Sequence, residues 1–311
     1  MNAEILKIGV IAVGEVGVSI VSKLSAVLPH LARFIAIDIN KEVLSRSTAN
    51  IKILVDDRTT RPICADLERF LAQPFKAQIE EAVKGLDVVF LVAGLGDESS
   101  DDCLISVADM LRDMPEVLLT IGVPITFLTL GGPGPQPSAP IALKALTNSV
   151  HCLIPLTNEA LAKPFLADGA MSSVLDEGLV ILRDLYTGIT MTLCEDGFIG
   201  VDFDDIRTVF EGHQMIMSVS TGYDSSNVRN ALEGALLKIG NGHSSRGQVR
   251  SAWIVVEGSV DMKLHILSEI KKIFKNYFAD YENVGLSAFI HCFSRGCNKL
   301  TLFIGDKNAR H

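Results

Sequence analysis

A short apolar run that ends in a glycine turn constrains the fold of this 311-residue chain more than any other feature. Residues 7–13 are rich in β-branched side chains, which is typical of a strand buried on both faces of a parallel sheet. Gly14-Glu15-Val16-Gly17 ends this run, and apolar residues then recur at helical spacing from Ile20 to Leu28. The chain therefore begins as strand, glycine turn and helix.

The same alternation continues through the first half of the chain. Strands are predicted at residues 34–37, 88–93, 125–130 and 150–156, helices at 68–84 and 101–112, and a loop at 131–140, where Gly and Pro dominate. Strands that alternate with helices predict a parallel sheet with right-handed crossovers. The first part is therefore expected to be a Rossmann-like α/β domain.

A long helix is predicted at 167–185, and the pattern changes after about residue 188. Beyond it, helices are predicted at 205–210 and 264–278 and from a cap at Ser225 or Ser226 through Leu237. Strands are predicted at 253–257, 286–293 and 300–304, the last two joined as a hairpin. We expect a Rossmann-like domain at 1–166, a long central helix at 167–188 and a smaller α+β domain at 189–311.

Composition excludes several classes of protein. With 48% hydrophobic and 21% charged residues the chain is not intrinsically disordered, and its net charge of −9 disfavours nucleic acid as a partner. Six scattered cysteines without a CxxC pair indicate a reducing compartment, so we expect a cytoplasmic protein. The longest apolar stretch, 117–130, is shorter than the roughly 20 residues of a membrane-spanning helix, so no transmembrane segment is expected.

The first glycine turn, taken alone, leaves alternatives open. Gly14 and Gly17 after a strand, with Asp38 at the end of the next strand, fit a dinucleotide fingerprint and hence an NAD-dependent oxidoreductase. Glu15, however, lies where pyrophosphate would approach the helix N-terminus and would repel it. The two glycines also fit a purely structural role, in which they permit close packing of the helix on the sheet.

A series of segments in order along the chain resembles one family. These are the glycine turn at 14–20, the strand and turn at 85–96, Asn158, the Gly-Val-Asp-Phe-Asp-Asp-Ile-Arg-Thr-Val run at 200–209 and the strand at 251–256. The run at 200–209 is similar, without gaps, to the synergy loop of FtsZ, and the whole series resembles the FtsZ/tubulin superfamily. The chain is identified as a divergent, FtsZ-like member of it.

The resemblance implies particular roles for these residues. It implies a cytoskeletal cell-division protein that binds GTP or GDP, with magnesium, and associates head to tail with itself or with a paralogous FtsZ. Nucleotide contacts fall by resemblance on Gly14, Gly17, Gly94, Gly96 and Asn158. Asp202 and Asp205 fall on the two acids that activate water against the nucleotide of the adjoining subunit.

The departures from the family pattern predict an impaired nucleotide site. FtsZ has a glycine-rich phosphate loop where this chain has four acids, Asp97, Glu98, Asp101 and Asp102, which would repel a triphosphate. These acids also fit N-terminal capping of the following helix or a divalent-metal cluster, although no set of metal ligands is assigned.

Further substitutions weaken the expected activity. Val18 replaces the family's Asn in the first phosphate loop, and Gly200 replaces the family's Asn at the start of the synergy loop. Residues 61–66 lack the glycines of the family's second phosphate loop. Asp202 and Asp205 themselves fit a plain helix cap as well as catalysis. The sequence therefore predicts weak or lost GTP binding and hydrolysis. The protein would either form filaments itself or bind the end of a filament of a true FtsZ. A scaffold that has lost all ligands is a further alternative.

Overall fold

The computed structural model describes most of the chain. The described residues are 6–28, 32–55, 73–96, 98–126, 139–156, 171–194, 199, 201–222, 229–230, 233, 249–260, 262, 265–277, 283–291 and 298–306. The chain divides into two compact units, Met1–Leu182 and Arg183–His311. The predicted boundaries after residues 166 and 188 stay predictions.

The first unit is built from a parallel sheet with helices between its strands. Its strands are β1 (Ile8–Val13), β2 (Arg33–Asp38), β3 (Ile51–Leu54), β4 (Val88–Gly94), β5 (Leu119–Ile125) and β6 (Cys152–Leu153). Its helices are α1 (Gly14–Val27), α2 (Lys41–Arg46), α3 (Gln73–Val83), α4 (Glu98–Arg112), α5 (Ala139–Ser149) and the start of α6 (Met171–Cys194).

The strand order in this unit is β3-β2-β1-β4-β5-β6, and all of its pairs are parallel. Side chains alternate between the two faces of a strand, so Ile11 and Val13 of β1 join a buried core with helices α3, α4 and α5. The alternate residues point to the other face, over which α1 packs. The predicted Rossmann-like architecture is confirmed.

The second unit is a mixed sheet with its own helices. Its elements are α7 (Phe203–Phe210), β7 (His213–Gly222), β8 (Val249–Ser259), α8 (His265–Tyr277), β9 (Asn283–His291) and β10 (Asn298–Asp306). The strand order is β7-β10-β8-β9, with β8 and β9 parallel and the other pairs antiparallel. Ile266, Ile270 and Ile273 of α8 pack on this sheet, as their helical spacing predicts.

The hairpin predicted between the last two strands is wrong. β8 lies between β9 and β10, and β10 pairs instead with β7 and β8. Ile254, Val255 and Val256 of β8 are fully buried, which favours a central place for this strand. Since the link of six residues, 292–297, can cover two strand spacings of about 5 Å each, its length does not distinguish a hairpin from a crossing over one strand.

Three element boundaries in the first unit also differ from the predictions. The strand expected at 125–130 runs instead from Leu119 to Ile125. The sequence did not indicate these bounds because Gly122 and Pro124, which are poor strand formers, lie inside the strand. Pro140, expected in a loop, lies in the first turn of α5, where its missing N–H costs nothing. The strand expected at 150–156 is only Cys152–Leu153, followed by an isolated bridge at Leu156.

Other elements were extended or missed. Helix α6 continues past residue 185 to Cys194, while α2, β3, β7 and α5 have no counterpart in the sequence prediction. Most of the helix expected to end at Leu237 lies outside the described residues. No helix in the described part of the chain is long and apolar enough to span a membrane.

Candidate functional site

Four of the predicted nucleotide-contacting glycines lie at one edge of the first sheet. Gly14 follows β1, Gly94 ends β4 and Gly96 follows it, so all three lie at the carboxyl ends of neighbouring parallel strands. Gly17 lies in the first turns of α1 beside them. Ligands of open parallel α/β sheets bind at this edge, which is therefore the candidate site of the first unit.

Gly14 and Gly17 occupy positions with no room for a side chain. Gly14 has a φ of +72°, and a Cβ added to it would lie 2.6 Å from Ser100 Oγ. A Cβ on Gly17 would lie 2.6 Å from the carbonyl oxygen of Val92. These glycines thus allow α1 to pack closely on β4 and on the first turn of α4, a role that is independent of any ligand.

The turn after β4 is closed by a carboxylate of the chain itself. The Gly96 N–H, at a residue with φ of +117°, donates to Asp101 Oδ1 at 3.2 Å and Oδ2 at 3.3 Å. Asp101 lies in the first turn of α4 and is only 3% exposed. In a phosphate loop, backbone N–H groups bind the anionic ligand. Here the Gly96 N–H binds the Asp101 carboxylate of the chain itself.

Carboxyl groups continue from this turn to the end of β2. Asp38 is 6% exposed, and its Oδ1 accepts a hydrogen bond of 2.7 Å from the Asn40 N–H. Burial, followed by the nearby charges of Asp38 and Asp102, raises the pKa of the Cys103 thiol from 9.0 to about 12. Burial and these two carboxylates thus both favour the neutral thiol of Cys103.

These observations bear on whether the edge fits GTP with magnesium. As arranged, the described residues do not fit a triphosphate, because Asp101 takes the Gly96 N–H, and Asp38 and Asp102 lie close to Cys103 of the same helix. No three His, Cys, Asp or Glu side chains among the described residues are grouped so as to hold a metal ion. Asn158, Asp97 and residues 61–66 lie outside the described residues, as does the side chain of Glu98.

Asp202 and Asp205 form a reciprocal cap at the start of α7 in the second unit. Asp202 Oδ1 accepts from the Asp205 N–H at 2.8 Å, and Asp205 Oδ2 accepts from the Asp202 N–H at 3.4 Å. This capping box satisfies two backbone donors at the helix end. Both side chains are exposed, so the remaining oxygen of each carboxylate is accessible to a partner.

The hydrogen bond between Gly96 and Asp101 was not anticipated from the sequence. In the sequence, the acids at 97–102 fit helix caps or metal ligands, and a cap from Asp101 would be directed at its own helix. The available signal was the spacing: a glycine after a buried strand, followed five residues later by an acid in the first turn of a helix. This spacing allows the carboxylate to return to the turn.

The chain is similar in sequence to a known cell-division protein. It is 29% identical over 235 residues to cell division protein FtsZ 1 of Pyrococcus horikoshii, a match that covers 74% of this chain and 61% of that protein. The chain thus spans less than two thirds of the length of this relative. The sequence matches no family model.

Solved structures of FtsZ and CetZ share the fold. An empty FtsZ dimer from M. jannaschii superposes with a TM-score of 0.79 at 22% identity, over 100% of this chain and 90% of that one. CetZ2 from Haloferax volcanii, a GTPγS-bound protofilament, gives a TM-score of 0.74 at 16% identity, over 97% and 93% of the two chains. The fold is that of FtsZ and tubulin. The predicted resemblance to this superfamily is confirmed. The alternative of an NAD-dependent oxidoreductase is not favoured.

Proposed function

We propose that this chain is an FtsZ-like cytoskeletal protein that associates end to end, with itself or with a paralogous FtsZ in the cytoplasm, while its own nucleotide edge binds GTP weakly. The observation that carries the proposal is the contrast between two places in the fold. The edge that would hold phosphate is filled by the chain's own Asp101, whereas Asp202 and Asp205 stand exposed at an ordered helix end.

The weak nucleotide affinity follows from competition between two anions. A phosphate entering the turn after β4 would have to displace the Asp101 carboxylate from the Gly96 N–H, since both anions need the same backbone donor. The loss of one hydrogen bond to a charged group costs about 1.5–3 kcal/mol. Each 1.4 kcal/mol weakens binding about tenfold, so tight GTP binding is not expected.

End-to-end association is supported by the relatives. The FtsZ of M. jannaschii is described as a dimer and CetZ2 as a protofilament, and both share the fold of this chain. We assign the corresponding contact surface to the start of α7, around Asp202 and Asp205. Their exposed carboxylates suit a surface that meets the nucleotide face of a neighbouring subunit.

At such a junction the two carboxylates would act on the neighbour's bound GTP. A carboxylate within hydrogen-bond reach of a water can orient it and accept its proton as the water attacks the γ-phosphorus and the bond to the β–γ bridging oxygen breaks to release GDP. Asp202 and Asp205 are held in place by the capping box, so this geometry is preorganised. A subunit that offers these acids but holds GTP poorly would dock on an FtsZ filament without recruiting the next subunit, and would therefore cap or shorten it.

The proposal is tested by adding substoichiometric amounts of the protein to an FtsZ from the same cell. We expect a changed GTPase rate and shorter filaments by electron microscopy, with little hydrolysis by the protein alone. D205N should lose the effect on the rate, because Asn can still accept the cap hydrogen bond but is a poor base. D204N is the matched control, since Asp204 is an exposed acid in the same helical turn. Identical rates and lengths with and without the protein would rule out capping.

The nucleotide edge is tested by calorimetric titration with magnesium and GTP. We expect no tight binding by the unaltered protein and at least tenfold tighter binding by D101A. D102A removes a neighbouring charge but not the hydrogen bond to Gly96, so it should improve binding less. Micromolar affinity of the unaltered protein, or equal gains in both variants, would contradict occupation of the turn by Asp101.

A further inference from the structure

A groove with a volume of about 620 Å³ lies between the edge strand β3 and helix α3, outside the candidate site. We propose that this groove binds an extended acidic peptide segment, which adds as a strand to the edge of β3. This interaction is independent of the proposed function, since it needs neither nucleotide nor filament.

The walls of the groove combine an apolar floor with positive charge. The half-buried Ile51 supplies apolar surface, with Ile53 and Ala82 almost fully buried beside it, and Arg33, Lys52 and Lys84 supply three cations. The described lining contains one carboxylate, Glu81, which lies 3.8 Å from the Lys84 ammonium in an exposed pair of little strength. A cationic groove on a chain of net charge −9 is complementary to an acidic partner.

Arg33 holds the groove in shape. Its Nη1 donates to the carbonyl oxygens of Ala82 at 2.9 Å and Lys84 at 3.0 Å, where α3 ends. These hydrogen bonds satisfy carbonyls at the helix C-terminus and tie α3 to the start of β2. A guanidinium carries five N–H donors, so Arg33 keeps further donors for a carboxylate while it stays fixed.

The backbone of β3 supplies the other half of the recognition. Among the described residues β3 pairs with β2 on one side and with no strand on the other. In a strand every second residue directs its N–H and C=O toward the same side, so β3 presents a row of donors and acceptors to an added strand. Main-chain hydrogen bonds to such an edge, with side-chain pockets beside it, are a recurrent mode of peptide binding.

Charge on β3 selects the kind of strand that can add. Lys52 is exposed in the middle of the four-residue strand, and a second copy of the same edge would place Lys52 near its equivalent. Like charges opposite each other are unfavourable, whereas a carboxylate opposite Lys52 is favourable. Lysine on a short edge strand thus blocks self-pairing and leaves acidic segments as the fitting partner.

The groove is remote from the nucleotide edge within the first unit. Arg33 and Ile51 are the first residues of β2 and β3, and Lys84 follows the end of α3, so the groove lies toward the amino ends of the strands. Gly14 and Gly96 lie at the carboxyl ends. A peptide in the groove therefore leaves the nucleotide edge accessible.

The test is fluorescence anisotropy with a labelled Glu-Val-Glu-Val-Glu-Val peptide and the full chain without nucleotide. We expect saturable binding that weakens with salt, and at least a tenfold loss of affinity in K52E combined with K84E. K76E is the matched control, because Lys76 lies on the same helix outside the groove in a similar 3.8 Å pair with Glu80. Circular dichroism of each variant checks that it is folded.

Two further peptides separate strand addition from simple charge attraction. Lys-Val-Lys-Val-Lys-Val should not bind, and Glu-Val-Glu-Pro-Glu-Val should bind at least tenfold more weakly, because proline removes a backbone donor. Absence of binding at 1 mM peptide, equal binding of the proline peptide, or equal losses in K76E and the groove variant would each overturn the proposal.

Discussion

Gly17 offers the sharpest test of whether the first glycine turn is held by packing rather than by a ligand. A Cβ at this position would lie 2.6 Å from the Val92 carbonyl oxygen and 3.2 Å from Ala93 Cα, both of them backbone atoms of β4. Backbone in a central strand cannot turn aside as a flexible side chain does. The substitution G17A therefore forces α1 away from the sheet.

The size of the effect follows from these distances. Ordinary Cβ contacts begin near 3.4 Å, so α1 must move by about 0.8 Å relative to β4. Val18, Val21 and Leu24 of the same helix are almost fully buried and would lose contact. Because the opposing atoms are backbone, the upper part of the usual cost of overpacking applies, about 2–3 kcal/mol, and the better helix propensity of alanine returns about 1 kcal/mol. We expect a net destabilisation of about 1–2 kcal/mol.

The measurement is urea unfolding followed by circular dichroism at 222 nm, without nucleotide. Gly188 is the matched control, because it lies inside helix α6 and a Cβ there would lie 3.4 Å from Thr301 Cγ2, an ordinary contact. G188A should be unchanged or more stable by about 0.5–1 kcal/mol. If G17A unfolds at the same urea concentration as the unaltered protein, the packing argument is refuted.

Three further predictions concern stability. G285A places a Cβ 2.0 Å from the ring of Trp253, the chain's single tryptophan, so it should destabilise the second unit by about 2–3 kcal/mol and red-shift the emission of Trp253. Between pH 9 and 12 the Cys103 thiol of the unfolded chain loses its proton, while that of the folded chain keeps it. The free energy of unfolding should therefore fall with rising pH. Urea titrations at pH 8 and 10 should show a smaller fall in C103A than in the unaltered protein. D202A should cost about 1 kcal/mol in thermal unfolding and D202N only a few tenths, since Asn caps almost as well as Asp.

The parts of the fold that follow from local pattern could be predicted. The strands near 88–93 and 253–257 are continuous apolar runs, and the helix near 264–278 carries a regular apolar stripe, so each has a signal within about 15 residues. The parallel sheet of the first unit followed from their alternation with helices. The interpretation of Asp202 and Asp205 as a helix cap also agrees with their hydrogen bonds.

The parts that depend on distant contacts could not be predicted. Nothing in residues 286–304 indicates that β8, some 40 residues earlier, lies between β9 and β10. Strand β3 has only four residues, of which Lys52 and Leu54 are exposed, so its apolar pattern is too short to distinguish from a loop. The bond from Gly96 to Asp101 likewise depends on how α4 is placed against β4.

The capping box at the start of α7 joins stability and the proposed chemistry in the same two side chains. Each carboxylate uses one oxygen for the cap, and the second oxygen is what a neighbouring subunit would meet. Replacement by alanine removes both functions, so a lost effect on FtsZ would follow equally from a frayed helix and from a missing base. Replacement by asparagine keeps an acceptor for the cap and removes the negative charge. A variant such as D205N that retains the unfolding temperature but loses the effect on FtsZ turnover would therefore assign that effect to the carboxylate rather than to the helix it caps.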